Sequence, residues 1–99
     1  MKIPFLKGVL LTDNGGLCSD SDALLLPDVE SCKQAILHIA KIRPQAYFKK
    51  EVNTEKGPKG CHLFTGGSGN AVYFNSHPTG SRGDKVRQVC KAKAGNEMK

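Results

Sequence analysis

The residues of this chain with the widest chemical range are four cysteines and three histidines. No two of the cysteines form the C-x-x-C pair that zinc ribbons and thioredoxin-like redox sites need. In a small basic chain, cysteines spaced this widely favour two disulfides over free thiols. The sequence therefore predicts a disulfide-stapled domain built on Cys18, Cys32, Cys61 and Cys90.

The histidines do not indicate a metal or catalytic site. His38 falls on a predicted helix, His62 on a predicted strand and His77 in a segment rich in Gly, Ser and Pro. No two of them have a local spacing that would place two imidazoles on one ion. No grouping of a carboxylate with a nucleophile stands out either. We therefore predict no catalytic residue, no metal ligand and no cofactor, and expect that the chain is not an enzyme.

A glycine cluster within PKGCHLFTGGSGNAVYFN (Pro58 to Asn75) is of the kind that can cradle a phosphate. A Walker loop requires Lys followed by Ser or Thr after its second glycine, whereas Asn70 and Ala71 stand there. The cluster also lies between two predicted strands, where a phosphate loop should lead into a helix. It therefore predicts the tip of a β-hairpin.

The clearest predicted element is a helix from Val29 to Ile42. Its apolar residues recur at spacings of three and four. Asp28 is the expected N-cap, because its side chain can accept from the unpaired amides of the first turn. Pro44 should end the helix, since the residue before a proline is pushed out of helical geometry. Cys32 lies on the apolar stripe, so its partner should come from the layer beneath the helix.

Strand patterns surround this helix. A short strand or extended arm is expected over Phe5–Thr12, followed by a surface loop. The remaining strand candidates are Ala46–Val52, Gly60–Phe64, Asn70–Asn75 and Lys85–Cys90. Together these patterns predict an α+β fold in which one helix packs on a small antiparallel β-sheet of three or four strands. The domain should span residues 1–93, and residues 94–99 should form a frayed tail.

Four cysteines allow three disulfide pairings, and sequence alone leaves all three open. Cys61, on a central strand, is the favoured partner for Cys32 on the helix that faces it. Cys18 and Cys90 would then join the two ends of the chain.

Cysteine pairing predicts an extracellular or lumenal compartment. The N-terminus does not resemble a secretion signal, because Lys7 interrupts it and the apolar run Val9 to Leu11 is too short. No apolar stretch approaches the length of a membrane span. We therefore expect a mature or excised domain, with Met1 supplied by an expression vector. The alternative is a reduced cytosolic protein.

Charge is unevenly distributed along the chain. Residues 1–40 contain three Lys against five acidic residues, a net charge of −2, whereas residues 41–99 contain twelve Lys or Arg against four acidic residues, a net charge of +8. The basic part favours a glycan, an acidic polymer or a protein as partner, or else serves as a solvated surface. Nucleic acid is a less favoured partner, because no recognition-helix, RNP or KH signature is present.

Several short motifs also resemble a known module. A helix with SC-x-x-A at Ser31–Ala35, PKGC at Pro58–Cys61, VYFN at Val72–Asn75, TGS at Thr79–Ser81 and VC at Val89–Cys90 resemble a small cysteine-rich module of secreted and cell-surface proteins of algae and other protists. That resemblance implies a fold and a compartment, and no activity. More distantly, a helix bonded to a central strand is similar to the PAN/apple arrangement, which implies carbohydrate or protein binding.

The predicted binding surface is the open face of the sheet together with the Asn75–Lys85 loop. Aromatic, amide and cationic groups there suit sugars or acidic polymers. The candidate ligand-binding residues are Tyr73, Asn75, His77, Arg82 and Lys85, with Tyr47 as a second ring. A simpler interpretation is that Tyr73 and Phe74 alternate across the strand, with one ring in the core and the other on the surface.

These observations favour a non-catalytic extracellular or lumenal binding or interaction module, for glycans or acidic polymers. The alternative is an accessory structural subunit that docks through its basic face on a larger protein assembly. A docking subunit would bury one contiguous patch against its partner, whereas a glycan binder needs a concave site of sugar size.

Overall fold

The computed structural model describes residues 8–92, apart from the side chain of Ser21. The elements in chain order are β1 (Val9–Leu11), a 3₁₀ helix (Cys18–Ser21), β2 (Leu24–Leu25), α1 (Val29–Ile39), β3 (Tyr47–Val52), β4 (Pro58–Phe64), β5 (Ala71–Gly80) and β6 (Val86–Lys91). The fold is α+β, as predicted. The start of the predicted arm over Phe5–Thr12 and the predicted tail lie outside the described residues.

The sheet has six strands rather than the predicted three or four. Its order is β1-β6-β4-β5-β3, and β2 also pairs with β6. Both β1 and β2 pair antiparallel with β6, and Leu10 and Leu25 have the same partner, Cys90. The stretch predicted as a loop therefore includes a strand. With only two residues, β2 is too short to show the alternation by which a strand is recognised in sequence.

The sheet is mixed, so the prediction of an antiparallel sheet was wrong at one edge. β3 pairs in parallel with β5, from Tyr47 opposite Ala71 to Val52 opposite Asn75, whereas β4 pairs antiparallel with both β5 and β6. Residues 53–57, which we call the crossover segment, carry the chain from the edge strand β3 past β5 to β4. After this crossover β4 runs opposite to β3. The hairpin then reverses the chain again, so β5 runs parallel to β3.

The glycine cluster forms the tip of the β4–β5 hairpin, as predicted. Phe64 and Ala71 are the last paired residues on either side of it. A Cβ atom placed on Gly66 would lie 2.6 Å from Cζ of Phe64, so the aromatic ring lies directly against the glycine backbone. A side chain at this position would displace that ring.

The helix begins where the sequence predicted and ends three residues earlier. Asp28 Oδ1 accepts from the Ser31 amide at 2.9 Å, which confirms the predicted N-cap. After Ile39 the chain tightens, because the Lys41 and Ile42 amides donate to carbonyls only three residues back. This tighter turn completes the helix ahead of Pro44. Within residues 8–92, no helix is long and apolar enough to cross a membrane.

One face of the sheet packs against α1 and forms the main core. Side chains from β4, β5 and β6 contribute alternate residues to this layer, as expected for a strand with one face covered. The buried members of the cluster are Leu26, Cys32, Ala35, Ile39, Cys61, Leu63, Val72, Phe74 and Val89. On α1 the buried Cys32 and Ala35 are small, whereas the sheet contributes the larger Leu63, Val72 and Phe74.

The two disulfides have the pairing that the sequence favoured. Cys32 on α1 is bonded to Cys61 on β4, and both residues are buried in the main core. Cys18 in the 3₁₀ helix is bonded to Cys90 on β6 and forms a second, smaller core with Ala23. The first bridge fixes α1 to one face of the sheet. The second fixes residues 17–25, which we call the N-terminal segment, to the opposite face.

We predict that replacing Cys18 and Cys90 together by Ala lowers the free energy of unfolding by about 4 kcal/mol in the chain-entropy model. The bridge joins residues 72 positions apart, so its loss frees a long loop in the unfolded chain. Urea denaturation of wild type and double variant measures the difference. Intact mass with and without reductant is the control. Two free thiols at these positions in native wild-type protein would contradict the prediction.

Candidate ligand-binding face

Strand alternation divides the sheet into two faces. Cys61 and its partner Phe74 point toward α1, so the neighbouring pair His62 and Tyr73 points away from it. We call this second surface the open face. Its strands place Tyr47, Val52, His62, Phe64 and Tyr73 on the side opposite the helix.

The centre of the open face is a shallow aromatic cleft. The rings of His62 and Tyr73 stack with their centroids 5.7 Å apart and their planes within 14°. Together with Val52, Thr54 and Phe64 they line a concavity of about 210 Å³. Phe64 is 38% exposed, so an apolar ring remains available to a ligand. We call this concavity the aromatic cleft.

His62 is held as a neutral hydrogen-bond acceptor at the base of the cleft. Its Nδ1 lies 3.1 Å from the Gly60 carbonyl oxygen, and because a carbonyl can only accept, Nδ1 carries the proton. Burial lowers the pKa of His62 below its ordinary value of 6.5, so the ring is uncharged at neutral pH. Every buried side-chain nitrogen and oxygen in the described residues has a partner. Nε2 makes no hydrogen bond within residues 8–92, so this atom reaches solvent.

One basic residue, Lys50, lies beside the cleft in the strand register. Lys50 lies opposite Tyr73 in the register of β3 and β5, and it is exposed. It is two residues from Val52, which lines the cleft, so strand alternation places both on the open face. The cleft thus combines apolar rings and an acceptor nitrogen with a cation at its margin.

Of the predicted site residues, Tyr73 lies on the open face and Asn75 is fully buried. The Asn75 side chain donates to the carbonyl oxygens of Thr54, Gly57 and Pro58 at 2.8–3.2 Å. Its carbonyl accepts from the amides of Thr54 and His77. Both polar atoms of the side chain are therefore used in holding the crossover segment. Asn75 has a structural role in place of the predicted contact with a ligand.

The remaining predicted residues do not converge on the cleft. His77 lies on β5, which continues to Gly80 where a loop was expected, and its Nδ1 accepts from two backbone amides. Arg82 Nη1 donates to the Gly15 carbonyl at 2.7 Å and to Asp20 at 2.9 Å. Lys85 is exposed beside the hairpin tip, where its carbonyl accepts from Thr65.

The ion pair of Arg82 with Asp20 is a surface contact. It joins the loop between β5 and β6 to the 3₁₀ helix. The hydrogen bond from Arg82 holds the pKa of the Asp20 carboxyl below its usual range. Both side chains are about half exposed, so this pair contributes little to stability. Its effect is to fix the position of the Arg82 guanidinium group away from the aromatic cleft.

The sequence analysis did not assign ligand contact to Val52, Thr54, His62 or Phe64. The alternation of CHLF offered a signal for His62 and Phe64, because both must face away from the buried Cys61. Val52 and Thr54 gave no such signal, since their proximity to the cleft depends on the parallel pairing of β3.

Among residues 8–92, no three His, Cys, Asp or Glu side chains are grouped so that they could hold a metal ion. Comparison of the chain with protein-family models, curated proteins and solved structures gave no match. The function is therefore inferred from the geometry of the chain itself.

We predict that Asn75→Ala lowers the free energy of unfolding by about 3 kcal/mol, because it leaves several buried backbone groups without partners. Ser76→Ala is the matched control. Ser76 is exposed and makes a single side-chain bond, to Val52, so its loss should cost no more than about 0.5 kcal/mol. Urea denaturation measures both variants. Equal stability of the two would show that Asn75 does not hold the crossover.

We predict that the protein loses stability as the pH falls below about 6.5. The folded state lowers the pKa of His62, so the unfolded chain takes up a proton at a higher pH than the folded chain. The loss begins near the unfolded pKa and is complete once the pH is below the folded pKa.

His62→Gln should remove this part of the pH dependence in urea denaturations between pH 5 and 8. Phe64→Leu is the control, because it alters the same face without removing a titratable group. An unchanged slope in His62→Gln would contradict the assignment.

Proposed function

We propose that the protein is a non-catalytic extracellular or lumenal binding module whose aromatic cleft takes a glycan. The observation that carries this proposal is the stacked pair of His62 and Tyr73, with the exposed ring of Phe64 beside it. Three rings that line one shallow concavity form a surface suited to the apolar side of a pyranose ring.

The polar groups of the cleft match the other requirement of a sugar. The Nε2 atom of His62 can accept from a sugar hydroxyl, and the Thr54 hydroxyl can donate or accept. Since small-ligand sites combine apolar surface with a few polar groups that fix orientation, this composition supports a polyhydroxylated ring as ligand. Lys50 at the margin would favour an acidic substituent.

Binding rather than hydrolysis fits the side chains that line the cleft. Glycoside hydrolysis commonly uses a pair of carboxylates that flank the scissile bond. Val52, Thr54, His62, Phe64 and Tyr73 provide instead rings, a hydroxyl and an imidazole. These groups hold and orient a sugar without the acid and base that cleave it.

The compartment rests on the disulfides. Two bridges in a small domain are compatible with an extracellular or lumenal protein. Glycans are abundant ligands in such compartments, and the resemblance to secreted modules of algae and other protists agrees with this setting.

We predict that the protein binds one class of oligosaccharide on an array carrying neutral, uronic-acid and sulfated glycans. Tyr73→Ala and Phe64→Ala should each weaken binding of the best ligand about fivefold in calorimetry, since one aromatic contact is worth about 1 kcal/mol. Leu37→Ala is the control, because Leu37 is 78% exposed on α1 and should leave the affinity unchanged.

Thermal denaturation of each variant separates lost binding from lost folding. If no glycan binds saturably, or if Leu37→Ala weakens binding as much as Tyr73→Ala, the cleft is not a sugar site. The accessory-subunit hypothesis would then take precedence, with the basic surface as its docking face.

A further inference from the structure

A second concavity lies where the N-terminal segment crosses the sheet. It has a volume of about 480 Å³ and lies between residues 17–25, the beginning of β4 and the residues around Gly80. We call it the lateral pocket. None of its lining residues lines the aromatic cleft, so the two are separate sites. Its volume is within the range of about 300–1,000 Å³ that is typical of small-molecule sites.

The base of the lateral pocket is polar, and both polar atoms of its amide are bonded to the protein. Gln88 is 3% exposed. Its Oε1 accepts from the Cys18 amide, and its Nε2 donates to the Lys59 carbonyl at 2.7 Å. An apolar ligand that covers the base therefore leaves neither atom without a hydrogen bond.

The walls of the lateral pocket are largely apolar. Their apolar part is formed by Leu17, Ala23, Leu24, Leu25 and Pro58, together with the disulfide-bonded Cys18, and Ser19, Thr79, Gly80 and Ser81 also line the pocket. Leu24 remains 42% exposed, although its neighbours in the second core are buried. An apolar chain lying in the pocket would remove this leucine from water, and each buried methylene of such a chain would strengthen binding.

The charged groups at the rim have one sign. Among residues 8–92, the ionisable residues that line the pocket are Lys59 and Arg82, both basic. Arg82 is paired with Asp20, which offsets much of its charge. Lys59 is exposed, and its ammonium group has no bonded partner among the described residues. An anionic ligand group would thus meet Lys59 first.

We propose that the lateral pocket binds a single-chain carboxylate amphiphile, with its alkyl chain along the leucine wall and its carboxylate beside Lys59. Two independent features of the pocket support this: an apolar interior that needs no polar partner, and a cationic rim. A neutral alkyl chain would satisfy only the first feature, and a small anion only the second. The proposal does not depend on the glycan site.

The test is titration of the ¹⁵N-labelled protein with decanoate below its micelle concentration. Amide shifts should saturate and should concentrate at Leu24, Leu25, Lys59 and Ser81. Affinity should rise about fourfold for each methylene added from octanoate to decanoate. Decanol and decyltrimethylammonium should bind at least about fivefold more weakly than decanoate, because neither carries the anionic head. Equal binding of the three head groups would overturn the proposal.

Two variants locate the site. Lys59→Gln should weaken decanoate binding about fivefold, and Lys56→Gln is its control, since it removes the same charge from an exposed lysine outside the pocket. Ser19→Trp should block the pocket from its exposed wall and abolish binding. If Lys56→Gln matches Lys59→Gln, or if Ser19→Trp binds decanoate normally, the pocket is not the site. Shifts confined to Tyr73 and Phe64 would also overturn the proposal.

Discussion

The arrangement of the whole domain depends on the bond between Cys32 and Cys61. The core between α1 and the sheet belongs to a small domain, and α1 contributes the small residues Cys32 and Ala35 to it, so burial there contributes a modest free energy. A covalent link in its centre keeps the helix on the sheet where packing alone would be weak. Because Cys61 faces the helix, its neighbour His62 must face the opposite way. The same bond therefore determines which side of the sheet is left for ligands.

Two buried amides organise the backbone around that core. Asn75 binds the segment that crosses from β3 to β4, and Gln88 joins the 3₁₀ helix to β4. Both replace backbone hydrogen bonds that irregular segments cannot make among themselves. Each also borders a concavity: the crossover held by Asn75 places Thr54 at the aromatic cleft, and Gln88 forms the base of the lateral pocket. In this fold the polar side chains with the most bonds are structural, and the two proposed ligand sites are lined mainly by rings and leucines.

The two proposed sites share one side of the sheet and differ in composition. The aromatic cleft lies on β4 and β5, where strand pairing holds its rings rigidly. The lateral pocket lies partly under the N-terminal segment, which the Cys18–Cys90 bridge holds in place. His62 and Gln88 are paired neighbours in the register, and β4 contributes to both sites, with Pro58 and Lys59 at the lateral pocket and His62 and Phe64 at the aromatic cleft. One side of this small domain thus holds both the aromatic cleft, proposed for a sugar ring, and the lateral pocket, proposed for an alkyl chain.

The sequence by itself determined the local elements. The apolar period and Asp28 defined the start of α1, the glycine cluster defined the hairpin, and the position of Cys32 on the helix favoured Cys61 as its partner. The first two features depend on residues close in sequence. The third depends only on which face of the helix carries Cys32. Only the tertiary structure decided that β3 lies parallel to β5 and that β2 joins the sheet, because pairing partners distant in sequence leave no local pattern. For the same reason Asn75 looked like a ligand contact in the sequence, and only its burial beneath the crossover showed that its hydrogen bonds are used within the fold.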